Sequence, residues 1–257
     1  MAVFSFDRRI VDASEYPWGY PILLWTPAEI ATALWLDAAD SGTITESGGE
    51  VSTWNDKSGN DRHATNTGTG KPTTSTLDGK TALAFSSQFL NVSCPLATNM
   101  MVFEVFGRAS AGILSQSIGG STNGAPPYAF QWWTDNVRYS GLANSNASPG
   151  YSAHGTANTA TGAFISGVDR DASHVRMRFF GGLVSQEAAL TLTSASFAYI
   201  GRRGASYHNG LIAEVIVILD TVSTDDREKL EGYLAHKWGL TANLLSDHPY
   251  KAGAPGV

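Results

Sequence analysis

The sequence contains a single cysteine, Cys94, among 257 residues. One thiol excludes an internal disulfide framework and a zinc site built on several thiolates. Charge is scarce as well. Asp, Glu, Lys and Arg make up 16% of the chain, and the balance is acidic, with net charge -6 at pH 7. Proteins that grip the phosphate backbone need a basic surface, so this composition argues against nucleic-acid binding. No apolar run approaches the ~20 residues that a membrane-spanning helix requires, and no membrane partner is expected. The opening MAVFSFDRRIVDASEY lacks a basic start followed by an apolar core, so no signal peptide is read and synthesis as a soluble cytosolic chain is expected. Hydrolase and nucleotide signatures are missing too: there is no Gly-x-Ser-x-Gly, no His-Glu-x-x-His and no phosphate loop. The six histidines, His63, His154, His174, His208, His236 and His248, are scattered without metal-ligand spacing.

What the chain has in quantity is apolar and aromatic material, 42% hydrophobic residues with 7 Trp, 11 Phe and 9 Tyr, together with abundant Gly, Ser, Thr and Asn. That mixture suits a sheet protein with many turns. The most informative stretch is Gly210 to Leu240. Leu211 to Leu219 is β-branched, short and apolar at both parities, which predicts a central strand covered on both faces. Alternation puts Leu211, Ala213, Val215 and Val217 on one face and Ile212, Ile216 and Ile218 on the other. Glu214 is a carboxylate among these isoleucines, and burial there demands a partner. Arg202, Arg203 and Lys237 are the expected partners. Ser223 with Asp226 reads as a helix N-cap, Leu230, Tyr233, Leu234 and Trp238 form one apolar stripe, and Gly239 is a natural stop.

Upstream, Thr26-Pro27-Ala28-Glu29 is a helix start with Thr as N-cap and Glu closing a capping box. Strands are expected at 34–36, 51–54, 82–86, 89–93, 100–107, 111–116, 128–133, 136–141, 163–169, 173–180, 188–193, 197–202 and 210–219, with turns as frequent as in an antiparallel sandwich. Residues 1–25 have no sustained period but carry Phe4, Phe6, Tyr16, Trp18 and Trp25. They are read as an ordered arm that packs on its own domain or on a neighbouring subunit. Residues 26–250 form one sandwich domain, and 251–257 a Pro/Gly-rich tail.

Several segments, in order, resemble laminin-G-like or concanavalin A-like jelly-roll modules. They are LWLDAAD at 34–40, Val51 through Trp54-Asn55-Asp56-Lys57-Ser58-Gly59-Asn60 to Ala64, Ala82 to Phe85 with Phe89 to Val92, and the Gly210–Val217 strand with the Lys229–Leu240 helix. The resemblance implies an all-β, concanavalin A-like jelly-roll β-sandwich of two antiparallel sheets, with short helices near 27–33 and 224–238. The LWLDAAD, SGN and EGYLAHKWGL forms look like modules of tailed-phage virion proteins and large bacterial surface proteins. The expectation drawn from that likeness is a non-enzymatic virion structural or binding module, a capsid decoration or tail-associated protein attached through its arm. Its expected partners are other virion proteins or copies of itself, such as a trimer, with a cell-surface glycan as a further candidate. A soluble lectin-type carbohydrate-binding module is the alternative, and a polysaccharide-degrading enzyme the third reading.

Three sets of residues are singled out. Asp37, Asp40, Asp56 and Asn60 supply the hard oxygen ligands that calcium takes, and laminin-G-like modules often hold one; the same residues also make turns. Trp133, Arg138, Tyr139, Tyr207, His208 and Asn209 offer stacking rings and hydrogen-bonding groups for a sugar, with Trp132 assigned to the core. Glu104, Asp169, Asp171 and Glu214 are available as glycosidase carboxylates, but nothing pairs them at a recognisable spacing. The row His174, Arg176 and Arg178 is read as a solvated strand face that discourages edge pairing.

Overall fold

The strand Asn209–Ile218 is buried along nearly its whole length and forms the centre of one layer of the molecule. The computed structural model describes residues 23–108, 115–119, 128–132, 139–140, 162–189, 196–203 and 206–257. The described chain is all-β apart from short helical segments, and its sheet strands pair antiparallel. On one side of the central strand lies Met100–Arg108, followed outward by Ala163–Arg170, His174–Phe179 and Gly182–Ala188. On its other side lie Thr32–Asp37 and Lys80–Ser86, and Thr73–Leu77 follows the latter. A second layer runs through Glu50–Trp54, Ala64–Thr65, Leu90–Pro95, Ser196–Ile200, Ser115–Gly119 and Tyr128–Trp132. Strand pairing joins the two layers where Glu50 meets Thr73, and an isolated bridge links Leu36 to Asp56 just beyond Trp54.

Two apolar clusters explain this arrangement. The first lies between the layers. Trp54, Leu90, Cys94, Phe197 and Ile200 of the second layer meet Leu83, Phe106, Val168, Val215 and Val217 of the first. The second cluster lies on the outer face of the first layer, where Trp35, Phe103, Ile165 and Ile216 are covered by Leu230, Leu234, Ala235 and Trp238 of the C-terminal helix. A strand with apolar residues at both parities is what such double coverage requires. One detail differs from simple alternation. Pairing to Met100–Arg108 shifts register between Ile212 and Glu214, a β-bulge. The extra residue moves Ile212 into the inter-layer cluster with Val215 and Val217, and Ala213 into the helix-side cluster with Ile216. The face assignment of Leu211 to Ala213 from the sequence is therefore corrected by the bulge.

The helix Thr224–Lys237 begins as expected. Ser223 Oγ accepts from the Asp226 N–H at 3.0 Å and donates to the Asp226 carboxylate at 2.8 Å. It ends at Gly239, whose φ of +69° lets the Leu240 N–H reach the Ala235 carbonyl at 2.8 Å. The upstream helix is a single 3-10 turn, Pro27–Glu29, and Thr26 caps the Ala28 N–H rather than completing a capping box with Glu29. Chain ends within the described residues are tied together. The Trp25 N–H donates to Pro255 O at 2.9 Å, and the Val257 N–H to Leu23 O at 3.0 Å. Residues 251–257 are thus stitched to the domain. Trp25, 4% exposed, belongs to the helix-side cluster, so of the two packings expected for the arm this residue takes the one on its own domain. Phe4, Phe6, Tyr16 and Trp18 lie outside the described residues.

Candidate functional site

Asp37 and Glu214 are register partners in the antiparallel pairing of their strands, which brings two acidic side chains to one end of the helix-covered face. The C-terminal helix delivers Tyr233, Lys237 and Trp238 against them. Glu214 is fully buried. It accepts from Trp35 Nε1 at 2.8 Å, Trp238 Nε1 at 2.7 Å and Tyr233 Oη at 3.1 Å. Lys237 Nζ is 2.8 Å from Glu214 Oε2, 2.6 Å from Asp37 Oδ1 and 3.0 Å from the Tyr233 hydroxyl. The partner expected for Glu214 in the helix is the one found, Lys237.

The network continues outward. Lys57 Nζ lies 3.0 Å from Asp37 Oδ2, 2.8 Å from Asp40 Oδ2 and 4.6 Å above the Trp35 ring. Burial pushes the Asp37 carboxyl up, but the ammonium groups of Lys237 and Lys57 outweigh it and hold the group below the usual carboxylate range. Burial also dominates at Glu214, where Lys237 offsets it only in part and the Asp37 charge adds to it, so Glu214 is raised. Burial lowers Lys57, yet Asp37 and Asp40 together leave it raised.

Asp37, Asp40, Lys57 and Lys237 of this network line a cleft of about 710 Å³, together with Trp25, Trp35, Tyr233, Lys80, His236 and Ala252 to Ala254. The volume falls in the range of small-ligand sites. Trp35 and Tyr233 meet edge to face, with centroids 6.4 Å apart. The cleft therefore combines fixed aromatic rings with charged hydrogen-bonding groups held by buried partners. Chemically it suits a polyhydroxylated ligand, which packs its apolar ring face on the half-buried Tyr233 and hydrogen-bonds at its edges.

The four calcium candidates lie close together but are filled by protein donors. Lys57 Nζ occupies the position between Asp37 and Asp40. Asp56 accepts from the backbone N–H groups of Trp35, Ser58 and Arg62, and Asn60 Nδ2 donates to Thr32 O and Ala33 O. These two residues organise the turn against the Thr32–Asp37 strand. Among the described residues, no group of three or more His, Cys, Asp or Glu is arranged to hold a metal ion.

Of the glycan candidates, Tyr139, Tyr207, His208 and Asn209 fall among the described residues. His208 is fully buried, edge-on to Phe85 and Phe106, with Nε2 3.2 Å from Leu211 O. It is corrected from a ligand contact to a core residue. Tyr207 sits in the two-residue strand Ser206–Tyr207, and Asn209 starts the central strand opposite Ser86. Beside them the Arg202 guanidinium lies 3.8 Å from the Phe89 ring centroid and 3.9 Å from that of Tyr199. Tyr139 pairs with Trp132 along the backbone, whereas Trp133 and Arg138 lie outside the described residues. The basic row is not an edge. His174–Phe179 lies between two strands, and Arg176 and Arg178 bind Asp169 and Asp171, with Arg176 Nη2 2.7 Å from Asp171. The hydrogen bond from Arg176, aided by the Ser173 and His174 N–H groups, brings Asp171 down to about 2.

Fold and cleft together define a β-sandwich domain. No family model matches the chain, and no curated protein matches it. Solved structures do. The Trypanosoma rangeli sialidase in complex with sialic acid matches with a TM-score of 0.54 at 11% identity, over 91% of this chain and 36% of the sialidase. Domain 4 of a GH43 extracellular arabinanase from Geobacillus stearothermophilus, in complex with arabinotriose, gives 0.52 at 12% identity, over 78% of this chain and 98% of that domain. The binding domain of botulinum neurotoxin DC, in complex with SialylT, gives 0.53 at 12% identity, over 79% and 52%. At these identities the likeness defines the fold. It also corrects the sequence reading of the chain as a non-enzyme: a sialidase and a domain of an arabinanase, both glycosidases, are among the proteins that share this fold, and that exclusion is withdrawn.

Proposed function

We propose that this chain is a carbohydrate-binding β-sandwich domain whose sugar site is the cleft over the Asp37–Lys237–Glu214 network. The observation that carries the reading is the cleft itself: about 710 Å³ with Trp35 and Tyr233 fixed against it and Lys80 available to hydroxyl groups. The fold is shared with an arabinanase domain in complex with arabinotriose and with part of a sialidase, which supports a glycan as ligand. A glycan array probed with the full chain tests it, with glycoside hydrolysis assayed on every positive glycan. Binding to a defined glycan class supports the reading, and a blank array at high micromolar protein contradicts it.

The sequence resemblance to tailed-phage virion modules extends the proposal to the setting. There the domain is a particle component, made in the host cytoplasm, that holds cell-surface glycans while residues 1–25 attach it to other virion proteins or to copies of itself. Support for this setting is the motif order in the sequence. Light scattering on the full chain and on a chain lacking residues 1–22 tests it, since the shorter chain keeps the pairing of Leu24 with Gly256. Loss of an oligomer on truncation supports the setting, and two monomers contradict it.

A further inference from the structure

The Asp37–Lys237–Glu214 triad has a geometry that an ion pair alone does not need. An ε-amine and a carboxyl group are in contact, and a second carboxyl group, cut off from solvent, touches the same nitrogen. We propose that Lys237 and Asp37 form an intramolecular isopeptide bond, with Glu214 as the proton relay. The bond is independent of the proposed sugar ligand.

The reaction balances without a co-reactant. Lys237 begins as an ammonium and Asp37 as a carboxylate. Lys237 Nζ passes one proton to Glu214 Oε2, 2.8 Å away, and becomes a neutral nucleophile. Rotation of the Asp37 carboxyl turns its carbon toward Nζ, and the nitrogen lone pair forms the N–C bond. Glu214 hands its proton to one Asp37 oxygen, takes the second proton from the nitrogen, and delivers it to the same oxygen. The C–O bond breaks and one water leaves toward the cleft. Two protons from the ammonium and one oxygen from the carboxylate make that water, and the product is a neutral amide. Both protons that Glu214 carries have by then gone to the leaving oxygen, so it ends as the carboxylate it began as and the relay is regenerated.

Four features of the site favour this step. Contact at 2.6 Å between Lys237 Nζ and Asp37 Oδ1 converts amide formation from a bimolecular encounter into a step between held groups. Side-chain exposures of 12% for Lys237, 5% for Asp37 and 0% for Glu214 keep out the bulk water that favours the charged reactants. Trp35, Trp238 and Tyr233 fix the Glu214 carboxyl where it faces the nitrogen, and its raised pKa suits it to accept and release a proton. Lys57, 3.0 Å from Asp37 Oδ2, sits where negative charge develops on the tetrahedral intermediate. Lys57 also touches Asp37, but the second carboxyl on its nitrogen, Asp40, is 39% exposed where Glu214 is fully buried, which singles out Lys237 as the nucleophile.

The test is the intact mass of the purified full chain, followed by tandem mass spectrometry of its peptides. The expected result is a mass lower than the sequence mass by one water, with a branched peptide joining Asp37 to Lys237. The Lys237→Arg and Glu214→Gln variants are expected at the full sequence mass. Asp78-Gly79 is a second place where a chain loses water, by succinimide formation, so the branched peptide is decisive. A wild-type chain at the full sequence mass overturns the proposal, and so does water loss that maps to Asp78 or to a bond with Lys57. The wild-type measurement stands alone if a variant fails to fold.

Discussion

Asp37 and Glu214 face each other as register partners across two antiparallel strands, and one ammonium, Lys237 Nζ, lies within 2.8 Å of both. The central strand, the helix that covers it and the cleft beside it all meet at this point. Helix position, cleft floor and buried charge are therefore one structural problem with one solution.

Removing Glu214 breaks that solution. Glu214→Ala leaves the indole N–H groups of Trp35 and Trp238 without their acceptor and Lys237 with one carboxylate fewer. Breaking a buried charged network from one side costs about 3–5 kcal/mol. Urea unfolding of Glu214→Ala is expected to show an unfolding free energy lowered by about that amount, read as a lower midpoint at an unchanged m-value.

Acid stability follows from groups with opposite signs. Asp171 falls from its ordinary 3.8 to about 2 in the folded chain, so its contribution is fully present above pH 3.8 and is lost as pH falls toward 2. Glu214 is raised above 4.5, so its contribution is present below pH 4.5 and is lost as pH rises through its folded value. Asp171→Asn is expected to flatten the stability loss of wild type between pH 4 and 2, measured by thermal melts across that range.

His208 separates core from ligand contact. It is fully buried between Phe85 and Phe106, so His208→Ala opens a cavity and is expected to cost about 2–4 kcal/mol. Glycan affinity of the folded fraction is expected to be unchanged. A selective loss of affinity with stability intact would return His208 to the binding surface.

Gly232 holds the tail. A Cβ there would run into the Tyr250 side chain, in the segment that Glu231 also clamps through His248 at 3.2 Å. Gly232→Ala is expected to overpack this contact at about 1–3 kcal/mol. Limited proteolysis checks it, with cleavage after Tyr250 or Lys251 faster than in wild type.

Much of the first layer was legible in the sequence. The doubly apolar Leu211–Leu219 run, the Ser223 cap and Gly239 each state a local rule that the tertiary structure obeys, and Lys237 was a foreseeable partner for Glu214. Thr73–Leu77 was illegible because its Thr and Ser residues are largely half-buried or exposed and show no apolar alternation. Ala213 was misplaced because a bulge changes parity without changing composition. The strand Gly182–Ala188, where Gly181 at φ +85° sets the hairpin, was not foreseen, and residues 190–193 of the expected strand 188–193 lie outside the described residues. The cleft was illegible for a different reason. Trp25, Trp35, Lys80 and Tyr233 come from four separate parts of the chain and meet only after the helix packs on the sheet.

The most direct test of the proposed function is calorimetric titration of the best array glycan into wild type and Lys80→Ala. Lys80 lines the cleft, is half-buried and makes no ion pair among those the structure records, so its removal spares the fold. The expected result is saturable binding to wild type and roughly tenfold weaker binding to Lys80→Ala, about 1.4 kcal/mol, at equal melting temperatures. Equal affinity for the two proteins would place the ligand elsewhere and contradict the cleft as the sugar site.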